Sequence, residues 1–431
     1  MTAPPRGRAE SSPVHDVLLV AWIALIAADR VDLAGGAGSF LFTPFLALTP
    51  VVAASELWRR AARGHRLVVP GQGTGFLAVI VALLCIVGAS VLVSQETATS
   101  AARALLLAAQ VGGTITVILA AWDRRGLSAV LDRGAVIGII LFAIVDVLQV
   151  AALLRVIPDS LHAGPVSLDV MPSTYGGIVP RLSGVVADQN RAGIVLLFYG
   201  WLIAARPGAR ARAGYLSLLG ILMLATLSRS VAIAALAAMG IAVLEQRIRR
   251  MPSAALLVAT LLLAGTTAAL LVSPRLRTGV ESTLDPLTRR LSVDEGSSQV
   301  HVTVLERGMH EGTRSLARVA LGLGYGSAYT VLQDVFPGSR YASFHSLYVT
   351  MFAECGVFAL LLVVTLFAVP LVRGGHYRPL VAGAAVFNVF YQATNDPALW
   401  AILALAWFTI PHARALRPTA VRAPRATLTA A

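Results

Sequence analysis

The side chains with most to offer chemically are a few polar groups set into an otherwise apolar chain. Residues 341–371, YASFHSLYVTMFAECGVFALLLVVTLFAVPL, enter an apolar run through His345, carry Glu354 partway along it and close on Pro370. An ionisable group in such a run is costly to keep and therefore asks for a role. A histidine at the mouth of such a run is either an interfacial residue or a group that can take a proton near neutral pH. Guanidinium groups in a water-poor site hold phosphate oxygens and stabilise departing negative charge. Arg229, Arg307, Arg314 and Arg318 are the candidates for holding such an anion. Asp188 and Asn190, just ahead of the apolar run at 191–205, either orient Arg181 or a substrate, or cap the helix that follows. Glu354 is a different matter. On a continuous helix nine positions amount to about 180° of rotation and about 13 Å of depth, so it shares no face with His345. It is expected to be a buried structural acid with a partner on a neighbouring span.

The elements that must position these groups follow from composition. Of 431 residues, 57% are hydrophobic and 13% charged, with a mean hydropathy of +0.75. No single globular core absorbs that fraction, so the expected class is an all-α polytopic membrane protein. About twelve apolar segments are expected to be transmembrane helices, near 15–29, 39–57, 76–94, 103–121, 134–154, 191–205, 214–228, 230–244, 254–272, 344–371, 380–395 and 398–411. The layout is then spans 1–9 in residues 1–272, with an extracytoplasmic loop near 155–190, and a large extracytoplasmic loop subdomain in 273–343. Spans 10–12 follow in 344–411, and a tail in 412–431. The first apolar run has no small-residue cleavage site and reads as a span rather than a signal peptide. Cys85 and Cys355 lie in apolar runs and read as inert core residues, with no disulfide or metal pair expected.

Every basic residue is arginine and the net charge is +13. In a membrane chain the positive-inside rule explains such charge before nucleic acid does, and no nucleic-acid partner is expected. Alternate connections carry Arg59, Arg60, Arg63 and Arg66; Arg124, Arg125 and Arg133; Arg206, Arg210 and Arg212; Arg247, Arg249 and Arg250; and Arg373 and Arg378. Arg6 and Arg8 at one terminus and Arg414, Arg417, Arg422 and Arg425 at the other keep the same parity. Both termini are therefore expected to be cytoplasmic. The rule absorbs about 21 of the arginines, and the remaining 14 or so, on the other side, are the informative ones.

Two connections on that side are long. The Pro-, Gly- and Ser-rich loop near 155–190 is expected to be irregular. In the second, VTVLERGMHEGTRSLARVALGLG reads as one amphipathic helix, with Arg307, Arg314 and Arg318 within about 40° of one another and Leu305, Met309, Leu316 and Val319 on the far side. Its basic face is either solvated on the membrane surface or turned inward to hold phosphate. The apolar segments flanking Leu227-Ser228-Arg229-Ser230 span only about 22 Å each, against a hydrocarbon core of about 30 Å. The tip bearing Arg229 is thus expected below the outer membrane surface, facing either a structural partner or an anion. The tip at Thr394-Asn395-Asp396-Pro397 is built the same way. Asp146 and Gln149 read as interhelical glue, and Asp29, Arg30 and Asp32 as an interfacial cluster.

Taken together, four short motifs resemble the family of O-antigen ligases and related surface-polysaccharide polymerases. His345-Ser346 is followed after nine residues by Gly356 and then by Ala359, where the family usually has Gly, Thr or Tyr. RLSGVVADQN resembles its Arg-x-x-Gly…Asp-Pro-Asn stretch, with Gln189 where Pro is common. The LSRS tip resembles its Ser-Arg turn, and Arg307 followed by LGLGYGS resembles its Arg-then-Gly-x-Gly loop. The order of these pieces and the twelve-span layout fit as well, so the resemblance covers most of the chain.

The resemblance implies a metal-independent, cofactor-free GT-C-type glycosyltransferase of the bacterial inner (cytoplasmic) membrane. Such an enzyme takes a glycan from an undecaprenyl-diphosphate carrier and joins it to an acceptor hydroxyl, on a glycan or lipid, outside the membrane. It implies functional roles for Arg229 and Arg307, a nearby one for Arg181, and the base role for His345. Arg181, Arg229, Arg307 and His345 are then expected to line one cavity. Ligase and polymerase are not separated by these residues, since both need a diphosphate clamp and a base. The alternative is a transporter or flippase of lipid-linked sugars, which predicts internal repeats or paired broken spans; no convincing repeat is visible.

Overall fold

The computed structural model describes residues 13–33, 43–124, 126–175, 179–204, 209–246, 296–339 and 342–410. The expected span at 254–272, both Arg-rich termini, Arg125, Arg206 and the Arg247, Arg249, Arg250 cluster lie outside the described residues. The protein is mostly helical. In chain order the helices are α1 Pro13–Ala24, α2 Pro44–Ala62, α3 Gly73–Val91, α4 Thr97–Ala121, α5 Leu127–Leu153, α6 Gln189–Ala204, α7 Ala209–Ala225 and α8 Arg229–Gln246. They continue as α9 Gly296–Thr313, α10 Leu316–Leu321, α11 Ala328–Val331, α12 Leu347–Arg373, α13 Arg378–Phe390 and α14 Pro397–Thr409. Each apolar segment expected within the described residues falls on a helix. Among them α3, α4, α5 and α12 are long and apolar enough to cross a membrane.

Local signals set several boundaries. Thr43 caps α2 by accepting from the Leu46 amide at 3.3 Å, with Pro44 at the first helical position. Asp396 caps α14 in the same way, through Ala398 at 2.9 Å. Helix α14 is buried along nearly its whole length, as an all-apolar helix must be if it is central. Around it the short hairpins α7–α8 and α13–α14 are brought together where α13 lies along α8; a Cβ on Gly383 would stand 2.8 Å from the Ala234 carbonyl.

The two ends of the bundle differ. At one, arginines from the α2–α3 and α4–α5 connections meet. Glu56, fully buried, accepts from Arg59 at 2.6 Å and from Arg124. Arg59 and Arg60 reach Asp123 at 2.8 and 3.2 Å, and Arg124 also pairs with Asp16. Connections grouped by arginine content in the sequence thus do share an end.

The opposite end departs from expectation in three ways. The loop near 155–190 is ordered by strands rather than irregular: β2 Ser160–Ala163 and β1 Val31–Asp32 flank β3 Val166–Asp169 antiparallel, and β4 Ser173–Tyr175 pairs with β5 Val179–Arg181. Arg30 is no interfacial residue. It is buried and donates to the Val186 carbonyl at 2.9 Å, to Ser183 Oγ at 2.8 Å and to Met171 at 3.2 Å, stitching that loop to α1. Asp146 and Gln149 are not interhelical glue but hold the same loop, accepting the amides of Gly184 at 2.7 Å and Ser183 at 3.1 Å.

The expected amphipathic helix over 302–324 is two helices. Ser315, in extended backbone, ends the first and caps the second through the Arg318 amide at 3.2 Å. Its buried face also differs. Val304, Gly308, Glu311 and Gly312 face inward, while Met309 and Leu316 are exposed. The two glycines decide the face, because a Cβ on either would stand within 3 Å of Phe344 or Phe352. Close approach of α9 to α12 outweighed the apolar pattern.

Candidate active site

The site grows from the entrance of α12. Ser346 is extended and buried, its hydroxyl donating to the Asn388 carbonyl at 3.3 Å, while the Leu347 amide donates to Tyr391 at 3.2 Å. These bonds fix the chain just after His345, which has φ +54. A left-handed backbone is uncommon outside glycine and is kept where the surroundings impose it. Leu227, beside the LSRS tip, is a second such residue, at φ +49. His345 lies outside α12, so the helical phase relating it to Glu354 does not apply.

Glu354 is buried as expected, with Arg103 of the neighbouring α4 in electrostatic range, and its carboxylate is held by the loop after α10. Its two carboxylate oxygens accept the amides of Gly326 and Ala328, each at 2.8 Å. Gly356, at φ +84 and ψ 179, breaks α12 just beyond it. There the Leu323 and Gly324 amides reach the Ala353 and Glu354 carbonyls at 2.8 and 2.9 Å. A Cβ at Gly356 would overlap the Ala320 carbonyl, and one at Gly322 the Glu354 backbone. On its other side the loop meets α3 and α4: Ser94 bonds Ser327 at 2.8 Å, Ser100 donates to the Tyr325 carbonyl at 2.7 Å, and Arg103 to that of Gly326. The LGLGYGS loop is therefore clamped between α12 and the α3–α4 hairpin.

A second cluster forms where β5 meets the α7–α8 tip. The Leu182 amide donates to Ala225 at 3.0 Å. Arg181 donates to the Thr226 carbonyl at 3.2 Å and to Asn190 Oδ1 at 3.4 Å, and Ser228 donates to the same oxygen at 2.7 Å. Burial lowers the pKa of Arg181, with Asp188 opposing and the Arg229 cation adding to the shift. Asp188 caps α6, accepting from Asn190 at 2.8 Å and Arg191 at 3.0 Å. It also receives the Tyr391 hydroxyl, and its charge acts on both Arg181 and His345. Both readings of Asp188 hold at once: it caps, and it faces the basic groups. The Asp396 tip pairs with Arg191 at 3.5 Å.

His345 is largely shielded from water. Burial first, and the neighbouring His301 second, push its pKa down to about 4, with Asp188 opposing. The ring is thus neutral at neutral pH, although its pKa is displaced from the ordinary histidine range. Its Nδ1 is buried with no partner among the described residues. The outer-loop arginines stand apart. Arg307 is half exposed and pairs with Asp334 at 3.4 Å, Arg314 is exposed and pairs with Glu311 at 3.7 Å, and Arg318 sits half-buried on α10. Arg181, Asn190 and Ser228 form one bonded cluster, with Arg229 and Asp188 in electrostatic range of Arg181 and Asp188 in range of His345, while Arg307 pairs with Asp334. Two cavities of about 440 Å³ lie elsewhere, one beside Arg60, His65 and Asp123 and one beside Asp16, Arg133 and Tyr215.

His301 and Tyr391 were not picked out from the sequence. The signal for His301 was its place on the Gly308–Gly312 face of α9, visible only once those glycines are read as a contact surface. The sequence matches no family model and no curated protein.

Proposed function

We propose that the chain is a membrane glycosyltransferase that moves a glycan from a polyprenyl-diphosphate carrier to an acceptor hydroxyl on the extracytoplasmic side. In this reading it has the twelve-span GT-C-type layout of the O-antigen ligases and surface-polysaccharide polymerases it resembles, in a bacterial inner membrane with both termini cytoplasmic. One observation carries the reading: Arg181 is bonded to the Thr226–Ser228 tip and to Asn190, within electrostatic range of Arg229, and Asp188 acts on both Arg181 and a neutral His345. Two neighbouring cations are relieved by an anion, and a diphosphate has oxygens for both.

The chemistry follows from these groups. His345 takes the proton of the acceptor hydroxyl as its oxygen attacks the anomeric carbon. The bond from that carbon to the diphosphate oxygen breaks, and its electron pair leaves with the lipid diphosphate. Arg181 and Arg229 stabilise the charge that develops there. Arg307 lies six residues from His301, about 9 Å along α9, and its part in the reaction rests on the resemblance alone. The reading covers ligase and polymerase alike.

The test is purified full-length protein in nanodiscs, given a synthetic undecaprenyl-diphosphate-linked glycan and candidate lipid or glycan acceptors. The expected product is a new glycosidic bond, seen as a mass increase of the acceptor. Movement of the lipid-linked glycan across the bilayer without bond formation would replace this reading with the flippase.

A further inference from the structure

His301 lies on the buried face of α9, and its ring meets the His345 ring edge to face, with centroids 4.5 Å apart and planes at 61°. Phe336 closes another side at 6.0 Å, also edge to face. The contact is built rather than incidental. Gly308 and Gly312 let α9 approach α12 so closely that side chains there would collide with Phe344 and Phe352, and His301 is carried inward on the same face. His345 meanwhile has a left-handed backbone that fixes its Cα–Cβ direction.

We propose that His301 is a positioning residue for His345, a second imidazole that holds the ring in place and disfavours positive charge on it. The proposal deepens the glycosyltransferase reading and rests on it for its catalytic meaning, but the ring arrangement itself does not. Among the described residues, three elements bring groups toward His345. From α9 it is His301, from the turn before α6 it is Asp188, held in turn by Tyr391, and from the 332–336 turn it is the apolar Phe336. Asp188 favours the imidazolium and His301 opposes it. Positive charge on the His301 ring opposes protonation of His345.

Diethyl pyrocarbonate tests this without any substrate, because it acylates neutral imidazole. The full-length protein is treated across about pH 3.5–8, a range that brackets the ordinary histidine value, and modification at His345 is quantified by peptide mass spectrometry. His301→Phe keeps a ring and removes the charge, whereas His301→Ala removes both. Folding of each is checked by monodispersity and by unchanged modification at the exposed His310. The expected result is an inflection at His345 that rises in both variants, with a severalfold higher limiting rate only in His301→Ala, where the ring is freed. An inflection unchanged in either variant, or an unchanged limiting rate in His301→Ala, overturns the proposal. Glycan transfer is measured on the same preparations. Shifted inflections without transfer in wild type would leave the positioning role standing and sink the glycosyltransferase reading.

Discussion

At the scale of single residues the account turns on protonation and charge. A His345 held at about pKa 4 by burial and by His301 is a competent base at every pH above that value, and loses competence only as the pH falls through it. The acid limb of kcat/KM is therefore expected below pH 6.5. The limb of kcat should lie higher, because a bound diphosphate favours the imidazolium. A kcat/KM limb at or above 6.5 would contradict the environment described. Arg229→Lys keeps the charge but loses the planar fork, and is expected to lower transfer about 10²-fold, the scale of losing one preorganised donor to developing charge. Near-wild-type turnover in that variant would show that position 229 supplies charge alone. His345 and Arg229 were legible as chemistry because each is a polar group where an apolar chain tolerates few. The displaced pKa was not, since it depends on burial first and then on His301, 44 positions earlier.

The middle scale is the clamp of the glycine-rich loop. Gly356 breaks α12 so that backbone carbonyls and the Glu354 carboxylate receive the loop's amides. Glu354→Ala leaves two buried N–H groups without their acceptor, at about 1–3 kcal/mol each. A clear loss of thermal stability in detergent is expected, with Glu354→Gln intermediate because it keeps one of the two oxygens as an acceptor. Gly356→Ala forces a Cβ into the Ala320 carbonyl from a left-handed backbone and is expected to cost about 1–3 kcal/mol or more. Gly88→Ala, with nothing within 4 Å of the added atom, is the control expected to leave the melting temperature nearly unchanged. Equal melting temperatures for Gly356→Ala and Gly88→Ala would remove the clamp from the account. The burial of Glu354 was readable from its apolar surroundings. The loop amides that bind it were not, because LGLGYGS is a glycine-rich loop with no helical phase that would place it against α12. In α9 likewise the apolar stripe pointed to one face and two glycines chose another.

For the whole molecule, composition and arginine placement read well. The apolar segments fall on helices, and the Arg59, Arg60 and Arg124 connections gather at one end around Glu56 and Asp123. The strands at the other end were hidden because β2–β5 are three or four residues each, too short for an alternating pattern to stand out among Pro, Gly and Ser. The two-ended arrangement predicts sidedness. In intact cells a membrane-impermeant maleimide should label Leu316→Cys, which replaces an 89% exposed residue near the site end. It should label Val68→Cys, at the Arg-rich end, only after permeabilisation. Equal labelling of both in intact cells would contradict the arrangement.

The central claim is that Arg181, Arg229 and His345 form one site for breaking a bond to a lipid diphosphate. Its most direct test is single-turnover release of undecaprenyl diphosphate from a synthetic lipid-linked glycan, comparing wild type with His345→Ala and Arg229→Ala. Release is expected in wild type and should fall by about 10²–10⁴-fold in His345→Ala and about 10²–10³-fold in Arg229→Ala, with both variants monodisperse and thermally stable. Undiminished release from either variant would contradict the account.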